Sequence, residues 1–367
     1  MQLKNRFVRA ATWEGLASPE GKVTPKLIEM MENLAKGGVG LIMSSHAYVS
    51  KEGQGTPWQL GVYDDDLIPG LSKMASAVHE YGGKIMLQLA HAGLYAEEKL
   101  SGLPALTVSA PEGFSAARQK IITKEDINRL TNSYAQAAER ALNAGFDGIE
   151  IHSAHGYLLS QFLSPAYNKR QDEYGGPIGN RARIHLQICQ AIRKVVGVDF
   201  PIVIKMNCAD FIDNGLTIED SLQAGEMFVE AGFDAIELSG GIIRTGKLSP
   251  TRPGISTVEK EAYFKEYARK FKSKIDIPLI LVGGIKSFEV AEELIAGGVA
   301  DYIAISRPLI REPDLIKRWE KGDRRKAECK SDNLCFNPGF EGKGVYCLTK
   351  EREVGNTSNQ HMTRRFS

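Results

Sequence analysis

Short apolar segments rich in β-branched residues alternate along the chain with longer amphipathic segments. The short segments predict strands at 7–12, 39–45, 84–90, 148–154, 201–207, 234–240, 278–284 and 302–308. The longer ones predict helices near 25–36, 66–81, 124–144, 180–196, 218–231, 258–273, 287–297 and 312–321. Strands that are apolar throughout and joined by helices indicate a parallel sheet covered on both faces. Eight such units favour an α/β fold of the (β/α)8 TIM-barrel type, with a doubly wound open sheet as the alternative.

Polar residues mark the starts of two predicted helices. Thr123 precedes Asp126, and Thr217 precedes Asp220, by three residues each. A threonine followed at this spacing by an acidic residue is typical of a capping box, with aspartate as a shorter substitute for glutamate. These signals support the predicted starts of the third and fifth helices.

Composition narrows the class of protein. The 367 residues carry a formal net charge of +1, with no basic block for nucleic acid or an acidic membrane surface. No apolar run reaches membrane-spanning length, and the N-terminus has no signal-peptide pattern. Five cysteines in a long chain argue against a disulfide framework and for the cytoplasm. We expect a barrel over 1–322 and an extension over 323–367; the sequence leaves a homo-oligomer open.

The most informative cluster follows the fourth predicted strand. Active sites of such barrels lie at the C-terminal ends of the strands, and here His152, His155 and Tyr157 stand together. A metal site would need a further ligand, which nothing nearby supplies cleanly. Two histidine donors aimed at one oxygen, with a phenol to give a proton, is the catalytic interpretation. The alternative is one core histidine and a tyrosine that packs a loop.

Two predicted loops, 91–122 after the third strand and 155–179 after the fourth, are long enough to cap a site at this end of the barrel. The seventh and eighth strands end in residues suited to a phosphate: Gly283, Gly284, Ser306 and Arg307. Glycines let backbone N–H groups approach an anion, and the arginine adds a fixed charge. A tight turn without a ligand is the alternative.

Uncharged and basic groups line the predicted mouth elsewhere. Thr12, Gln88 and Lys205 would suit a planar heterocycle with donors and acceptors on its edge. The lysine would suit a site where negative charge develops. The alternative is a structural salt bridge between Lys205 and Glu150 on the neighbouring strand.

These residues lie within motifs that resemble a known family. The motifs are LKNRFVRAAT at 3–12, MLQLAHAG at 86–93, HSAHGYLLSQFLSPAYNKRQDEYGG at 152–176 with NRAR after it, VGGIKS at 282–287 and ISRPLIREPDL at 305–315. Their order and content resemble the old yellow enzyme family of FMN-dependent NAD(P)H oxidoreductases. The resemblance implies FMN held noncovalently in the barrel mouth, NADH or NADPH as reductant, and reduction of small molecules with activated C=C bonds.

The resemblance also implies roles for particular positions. The residues expected to contact the flavin ring are Ala10, Ala11, Thr12, Trp13 and His46. Gln88 is expected at the pyrimidine edge and Lys205 near flavin N1, while Gly283, Gly284, Ser306 and Arg307 are expected to bind the phosphate. His152 and His155 would hold the substrate oxygen, and Tyr157 would protonate the substrate.

Two departures from the family pattern stand out. Trp13 occupies a position where many members carry threonine or cysteine, unless Thr12 is the equivalent residue. The C-terminal segment CKSDNLCFNPGFEGKGVYC resembles the [4Fe–4S] segment of larger relatives of the 2,4-dienoyl-CoA reductase and trimethylamine dehydrogenase type. Its four ligand positions read Cys329, Asp332, Cys335 and Cys347, so we expect no cluster and no metal.

The resemblance leaves alternatives open. The chain is too short for the nucleotide-binding domains of the larger relatives, so we expect NAD(P)H and substrate to use one flavin face in turn. An NADH oxidase or a demethylase of the same family is one alternative. A flavin-free lyase or isomerase that uses Lys205 is another.

Overall fold

A computed structural model describes residues 1–110, 119–243 and 245–354. Eight parallel strands close into a barrel in chain order, each paired with the strands before and after it, which confirms the predicted fold. The strands are β1 (Phe7–Arg9), β2 (Leu41–Tyr48), β3 (Lys84–Ala90), β4 (Gly148–Ser153), β5 (Ile202–Asn207), β6 (Ala235–Ser239), β7 (Leu279–Leu281) and β8 (Tyr302–Ile305). In the described part of the chain, no helix is long and apolar enough to cross a membrane.

Eight helices follow the strands and cover the outside of the barrel. They are α1 (Pro25–Lys36), α2 (Ile68–His79), α3 (Lys124–Asn143), α4 (Arg183–Val196), α5 (Ile218–Ala231), α6 (Lys265–Lys272), α7 (Phe288–Ala296) and α8 (Leu315–Glu320). The predicted helix at 258–273 is shorter than expected because its start forms a separate 3₁₀ turn, Val258–Lys260. The predicted strand at 278–284 ends early because Gly283 and Gly284 adopt φ values of +136° and +73°.

Of the two predicted capping boxes, the one at α3 forms completely. The Thr123 side chain accepts the Asp126 N–H, and the Asp126 carboxylate accepts the Thr123 N–H. At α5, Thr217 likewise accepts the Asp220 N–H. The Asp220 carboxylate instead binds Arg181 at 2.6 Å, because the buried guanidinium offers it a charged partner.

The two long loops carry structure that the sequence did not predict. The loop after β3 contains the short helix Glu98–Ser101 and a parallel pair of strands, Ala105–Thr107 with Gln119–Ile121. The loop after β4 contains the helices Leu158–Leu163 and Ile178–Arg181. Parts of two predicted segments, 111–118 of the first loop and 355–367 of the extension, lie outside the described residues.

The alternating direction of side chains along each strand determines which residues fill the barrel interior. Side chains on a strand point alternately inward and outward, so every second residue enters the interior. The lower interior is apolar and is formed by Val8, Ala10, Leu41, Met43, Met86, Val203, Ala235, Ile280 and Ala304. One inward position further along β3, β5 and β6 stand the polar residues Gln88, Lys205 and Glu237. An apolar plug therefore supports a polar layer just below the C-terminal mouth.

Candidate active site

A cleft opens at the C-terminal ends of the barrel strands. Its empty volume, counted out to solvent, is about 950 Å³. The predicted site residues that line it are Ala10, Ala11, Thr12, Trp13, His46, Gln88, His152, His155, Tyr157, Lys205, Gly284, Ser306 and Arg307. The remaining predicted residue, Gly283, is not among the described lining residues; it packs against Tyr263 and Phe264, and its carbonyl accepts the Tyr263 N–H.

The three residues of the predicted catalytic cluster meet at one side of the cleft. The rings of His152 and His155 lie with centroids 5.2 Å apart, nearly perpendicular at 81°. The Tyr157 ring lies 4.9 Å from that of His152. Tyr95, from the loop after β3, contacts Tyr157 edge-on at 6.2 Å. The two long loops therefore converge at this cluster.

His155 is held by two residues on neighbouring strands. Its backbone is left-handed, with φ of 65°, which is uncommon for a residue other than glycine. Its N–H donates to Asn207 Oδ1 at 3.1 Å, and its ring Nε2 lies 2.7 Å from Ser239 Oγ. The sequence analysis missed Ser239, although it stands at the next inward position of β6 after Glu237. Nε2 is thus engaged, and Nδ1 is the ring nitrogen of His155 for which the described residues provide no hydrogen bond.

The histidines of the cleft are neutral. Burial, together with nearby positive charge, holds the pKa values of His152 and His155 well below their usual value. Burial and then Lys205 lower the pKa of His46 to about 4. Nδ1 of His152 and Nε2 of His46 are buried and have no hydrogen-bond partner in the described part of the chain. Each neutral ring has one N–H and one acceptor nitrogen, so the cluster presents uncharged donors to the cleft.

Tyr157 keeps its proton at neutral pH. Burial and then Tyr95 raise the pKa of the phenol to about 12. The ring is also stacked on His46, with centroids 5.8 Å apart and an interplanar angle of 29°. The protonated phenol can act as a general acid, and the two neutral imidazoles beside it can bind an oxygen atom through their N–H groups.

Lys205, on the floor of the cleft, forms a buried salt bridge, but its partner is not the glutamate named in the sequence-based alternative. Lys205 Nζ binds Glu237 Oε1 at 2.6 Å, with both side chains buried, so the predicted partner Glu150 was wrong. Glu150 instead accepts a 2.5 Å hydrogen bond from Gln88 Nε2. Strand register explains the exchange, because Lys205 stands opposite Glu237, whereas Val203 stands opposite Glu150. Although burial opposes its charge, Glu237 and then Glu150 raise the pKa of Lys205 above its usual value.

The far side of the cleft carries the predicted phosphate residues. Gly284 has φ of +73°, and a Cβ there would approach the Tyr263 ring at 2.7 Å, so glycine is required. Ser306 Oγ lies 2.6 Å from Thr12 Oγ1. Arg307 Nη1 donates to the Arg252 carbonyl at 3.0 Å and to Asn333 Oδ1 at 2.6 Å. The guanidinium is therefore fixed in place at the edge of the cleft.

The C-terminal extension contributes to this cleft, which the sequence analysis missed. Phe336 is a lining residue, and Asn333 binds Arg307. Trp13 is only 7% exposed because it packs with Cys335 and Val345 of the extension. No local sequence signal marks these contacts. Those of Trp13 join residues more than 300 positions apart, and they depend on how the extension crosses the barrel.

Two of the four predicted cluster positions, Asp332 and Cys347, make other side-chain hydrogen bonds. The Asp332 carboxylate accepts hydrogen bonds from the Thr349 hydroxyl at 2.6 Å and from the Leu334 N–H at 3.1 Å. Burial raises the pKa of the Cys335 thiol to about 12. Within residues 1–110, 119–243 and 245–354, no group of three or more His, Cys, Asp or Glu side chains is arranged to hold a metal ion.

The donor set of the cleft fits FMN. One end offers Gly284, Ser306 and Arg307 for a phosphate, and the other offers Gln88 and Lys205 for a polar ring edge. Ala10 and Ala11, which follow β1, and Ala304 of β8 add small apolar side chains to the lining. Orphaned ring nitrogens of His46 and His152 remain for further ligand atoms.

Comparison with known proteins agrees with this reading. Residues 1–326 match the NADH:flavin oxidoreductase / NADH oxidase family, which indicates FMN and NAD(P)H. The chain is 36% identical over 371 residues to an NADH oxidase of Thermoanaerobacter brockii, covering 96% of this chain and 56% of that protein. It is 36% identical over 318 residues to an NADPH dehydrogenase of Bacillus subtilis, covering 85% of this chain and 89% of that protein.

Solved structures show the same similarity. A 2-naphthoyl-CoA reductase superposes with a TM-score of 0.86 at 27% identity, over 94% of this chain and 54% of that one. An old yellow enzyme homologue from Zymomonas mobilis superposes with a TM-score of 0.75 at 26% identity, over 94% and 96% of the two chains. This chain spans about half the length of the first two curated relatives, 56% and 54%. The protein belongs to the NADH:flavin oxidoreductase / NADH oxidase family, the family of old yellow enzyme.

Proposed function

We propose that this protein is an FMN-dependent oxidoreductase that takes hydride from NADH or NADPH and reduces activated C=C bonds of unsaturated carbonyl, enoate or nitro compounds. One observation carries the proposal: two neutral histidines and a protonated tyrosine meet above a cleft whose opposite wall holds a fixed arginine. Bound FMN would supply the hydride transfer, first accepting hydride from the nicotinamide and then delivering it to the substrate.

His152 and His155 act as the oxygen-binding pair in this proposal. Each gives one neutral N–H to the carbonyl or nitro oxygen, and electron density drawn onto that oxygen makes the β-carbon electron-poor. For His155 the donor is Nδ1, because Ser239 Oγ binds Nε2 at 2.7 Å and can donate its hydroxyl proton there. His152 gives its N–H to the same oxygen; its Nδ1 has no hydrogen-bond partner among the described residues. Neutral rings bind the oxygen without adding a buried charge.

Tyr157 supplies the proton that completes the reduction. Hydride arrival at the β-carbon leaves a pair of electrons at the α-carbon, and the phenol protonates this carbon. Its pKa of about 12 keeps the proton on the oxygen until that negative charge develops. The phenolate then recovers a proton from solvent through the cleft mouth.

The roles proposed for the remaining residues follow from position and charge. Gly284, Ser306 and Arg307 bind the phosphate of the cofactor, and Gln88 and Lys205 face its pyrimidine edge. Ala10, Ala11, Thr12, Trp13 and His46 line its ring. The geometry at Gly284 and the fixed position of Arg307 support these assignments.

We further propose that residues from 323 onward form an extension to the barrel domain of 1–322 that completes the cofactor site without an iron–sulfur cluster. The contact of Asn333 with Arg307 supports the first part. The hydrogen bonds that engage Asp332, and the burial of Cys335 against Trp13, support the second. A carboxylate is also a poor fourth ligand for a cluster that prefers thiolates.

A flavin-free reaction through Lys205 is disfavoured. A Schiff base needs a neutral amine, and nucleophilic lysines have lowered pKa values. Here the pKa of Lys205 is raised, and the ammonium is paired with Glu237 at 2.6 Å. The observation therefore favours a role for Lys205 as a fixed positive charge.

Anaerobic absorbance measurements test the proposed function. The purified protein should carry about one FMN per chain, lose its flavin colour on addition of NADH or NADPH, and regain it on addition of an enone, enoate or nitroalkene. An enzyme that is reoxidised by molecular oxygen and by none of these alkenes would be an NADH oxidase instead. Absence of bound flavin after reconstitution with FMN would refute the proposal outright.

A further inference from the structure

Two buried carboxyl groups lie beneath the cleft, and only one of them has a cation. Glu150 on β4 and Glu237 on β6 are both fully buried. Glu237 Oε1 accepts from Lys205 Nζ, and Glu150 Oε2 accepts from Gln88 Nε2. The two other oxygens, Glu150 Oε1 and Glu237 Oε2, have no hydrogen-bond donor in the described structure. Two ionised carboxylates with an unpaired oxygen each, both fully buried in one layer, would be strongly unfavourable.

A single proton removes this conflict. The side chains of Glu150 and Glu237 are within hydrogen-bonding reach of one another. If Glu150 is protonated on Oε1, its hydroxyl can donate to Glu237 Oε2. Every oxygen of both carboxyls then has a hydrogen-bond partner, and the layer holds one ammonium and one carboxylate. Burial and then the charge of Glu237 raise the pKa of Glu150 well above its usual value, in the direction this arrangement needs.

We propose that Glu150 and Glu237 share one proton, and that this carboxyl pair is the resident counterion of Lys205 and sets how much negative charge the floor of the cleft can stabilise. The tuning role rests on the proposed FMN site, whereas the shared proton does not. Both glutamates are positioning residues, because they act through Lys205 and not on the substrate.

Charges around the pair are compatible with one shared proton. The charged and titratable groups that face this layer are Lys205, Arg9, His46 and His152. Arg9 is already neutralised by Glu14 at 2.8 Å. His46 and His152 are neutral because burial lowers their pKa values. Lys205 is thus the cation that balances the single negative charge carried by Glu150 and Glu237 together.

Sharing has a distinctive consequence for single substitutions. In Glu150→Gln, Glu237 remains ionised beside Lys205. In Glu237→Gln, Glu150 gives up its proton and becomes the counterion. Both variants therefore keep one negative charge and lose the protonated acid. Only the double variant leaves Lys205 without a counterion.

Infrared spectroscopy of the purified holoprotein at neutral pH tests the shared proton directly. The parent should show the C=O stretch of a buried protonated carboxylic acid, and each single variant should lose it. Glu14→Gln is the control, because it removes a neighbouring buried carboxyl and should leave this signal in place. A parent without the signal, or a signal that survives either single substitution, would overturn the proposal.

Sulfite binding tests the tuning role, because sulfite adds to oxidised flavin as an anion and reports stabilisation of negative charge. Each single variant should bind sulfite within about threefold of the parent. The double variant should bind it roughly tenfold to a hundredfold more tightly, as expected for removing one opposing charge a few ångströms away. Sulfite affinity that changes as much in either single variant as in the double variant would overturn the tuning role. A protein that shows the infrared signal but binds no FMN would refute the proposed function while leaving the shared proton standing.

Discussion

The Ser239→Ala substitution tests how the cleft fixes the donor nitrogen of His155. The Ser239 hydroxyl lies 2.7 Å from Nε2, and no other hydrogen bond to that ring is present in the described structure. Without it, the neutral ring can move its proton from Nδ1 to Nε2. Nδ1 would then present a lone pair to the substrate oxygen instead of an N–H. Ser239 also lines the cleft, so the His155 tautomer in the variant is what distinguishes lost positioning from a lost substrate contact.

The magnitude follows from the bond that is lost. A hydrogen bond between neutral groups contributes about 0.5–1.5 kcal/mol, which corresponds to roughly twofold to tenfold in affinity. We expect a phenol such as p-hydroxybenzaldehyde to bind the oxidised protein as the phenolate, and to bind Ser239→Ala that much more weakly. The long-wavelength charge-transfer absorbance of the complex measures the dissociation constant. ¹⁵N chemical shifts of the ring identify which nitrogen carries the proton.

The chain contains a matched control. Ser153 Oγ lies 2.7 Å from Nε2 of His185, the same chemical pair at the same distance, but buried outside the barrel. Ser153→Ala should lower the free energy of unfolding by about 0.5–1.5 kcal/mol, because it also removes one neutral hydrogen bond. It should leave the affinity for the phenol unchanged. Equal weakening of phenol binding by both substitutions, or an unaltered His155 tautomer in Ser239→Ala, would refute the reasoning.

Four further outcomes are expected. Tyr157→Phe should slow alkene-driven reoxidation by about 10²–10⁴-fold and leave reduction by NAD(P)H nearly intact in stopped-flow absorbance; equal slowing of both steps would contradict its role. Because burial lowers the pKa of His46 from 6.5 to about 4, the unfolded chain binds a proton that the folded chain excludes between these values. The free energy of unfolding should therefore fall as pH drops through this window, and His46→Asn should flatten the slope by up to ~1.4 kcal/mol per pH unit in denaturant titrations; an unchanged slope would argue against a neutral ring. Asn333→Ala should raise the FMN dissociation constant roughly tenfold by releasing Arg307, measured by flavin fluorescence, and unchanged affinity would remove the extension from the cofactor site. Iron and acid-labile sulfide should be near zero in the parent after anaerobic reconstitution, whereas Asp332→Cys is the variant in which uptake is expected; stoichiometric iron in the parent would contradict the assignment.

The barrel could be predicted from the sequence because its determinants are local. Apolar strands and amphipathic helices of ordinary length repeat eight times, and each bears its own periodicity. The side chains at the C-terminal ends of the strands were predicted to share one site, as in other barrels of this type. Thr12 and Arg307, although far apart in the sequence, do line one cleft. Gly283 is the predicted site residue that is not among the described lining residues; it packs against Tyr263 and Phe264, which lie far from it in the sequence.

Other features depended on contacts that no local pattern records. The partner of Lys205 is set by strand register: Lys205 stands opposite Glu237, whereas Glu150 stands opposite Val203, two residues earlier on β5. The path of the extension decides that Asn333 and Phe336 reach the cleft, and this path depends on tertiary packing against Trp13. Sequence motifs thus identified the strand-end chemistry, while the supporting residues needed the structure.

The central claim is that hydride reaches the β-carbon while Tyr157 protonates the α-carbon. The most direct measurement is the position of deuterium in the product of a single anaerobic turnover with NAD(P)H deuterated at the transferred position, in ordinary water. We expect deuterium at the β-carbon and solvent hydrogen at the α-carbon, with the rate of α-protonation reduced in Tyr157→Phe. Deuterium at the α-carbon, or none in the product, would contradict it.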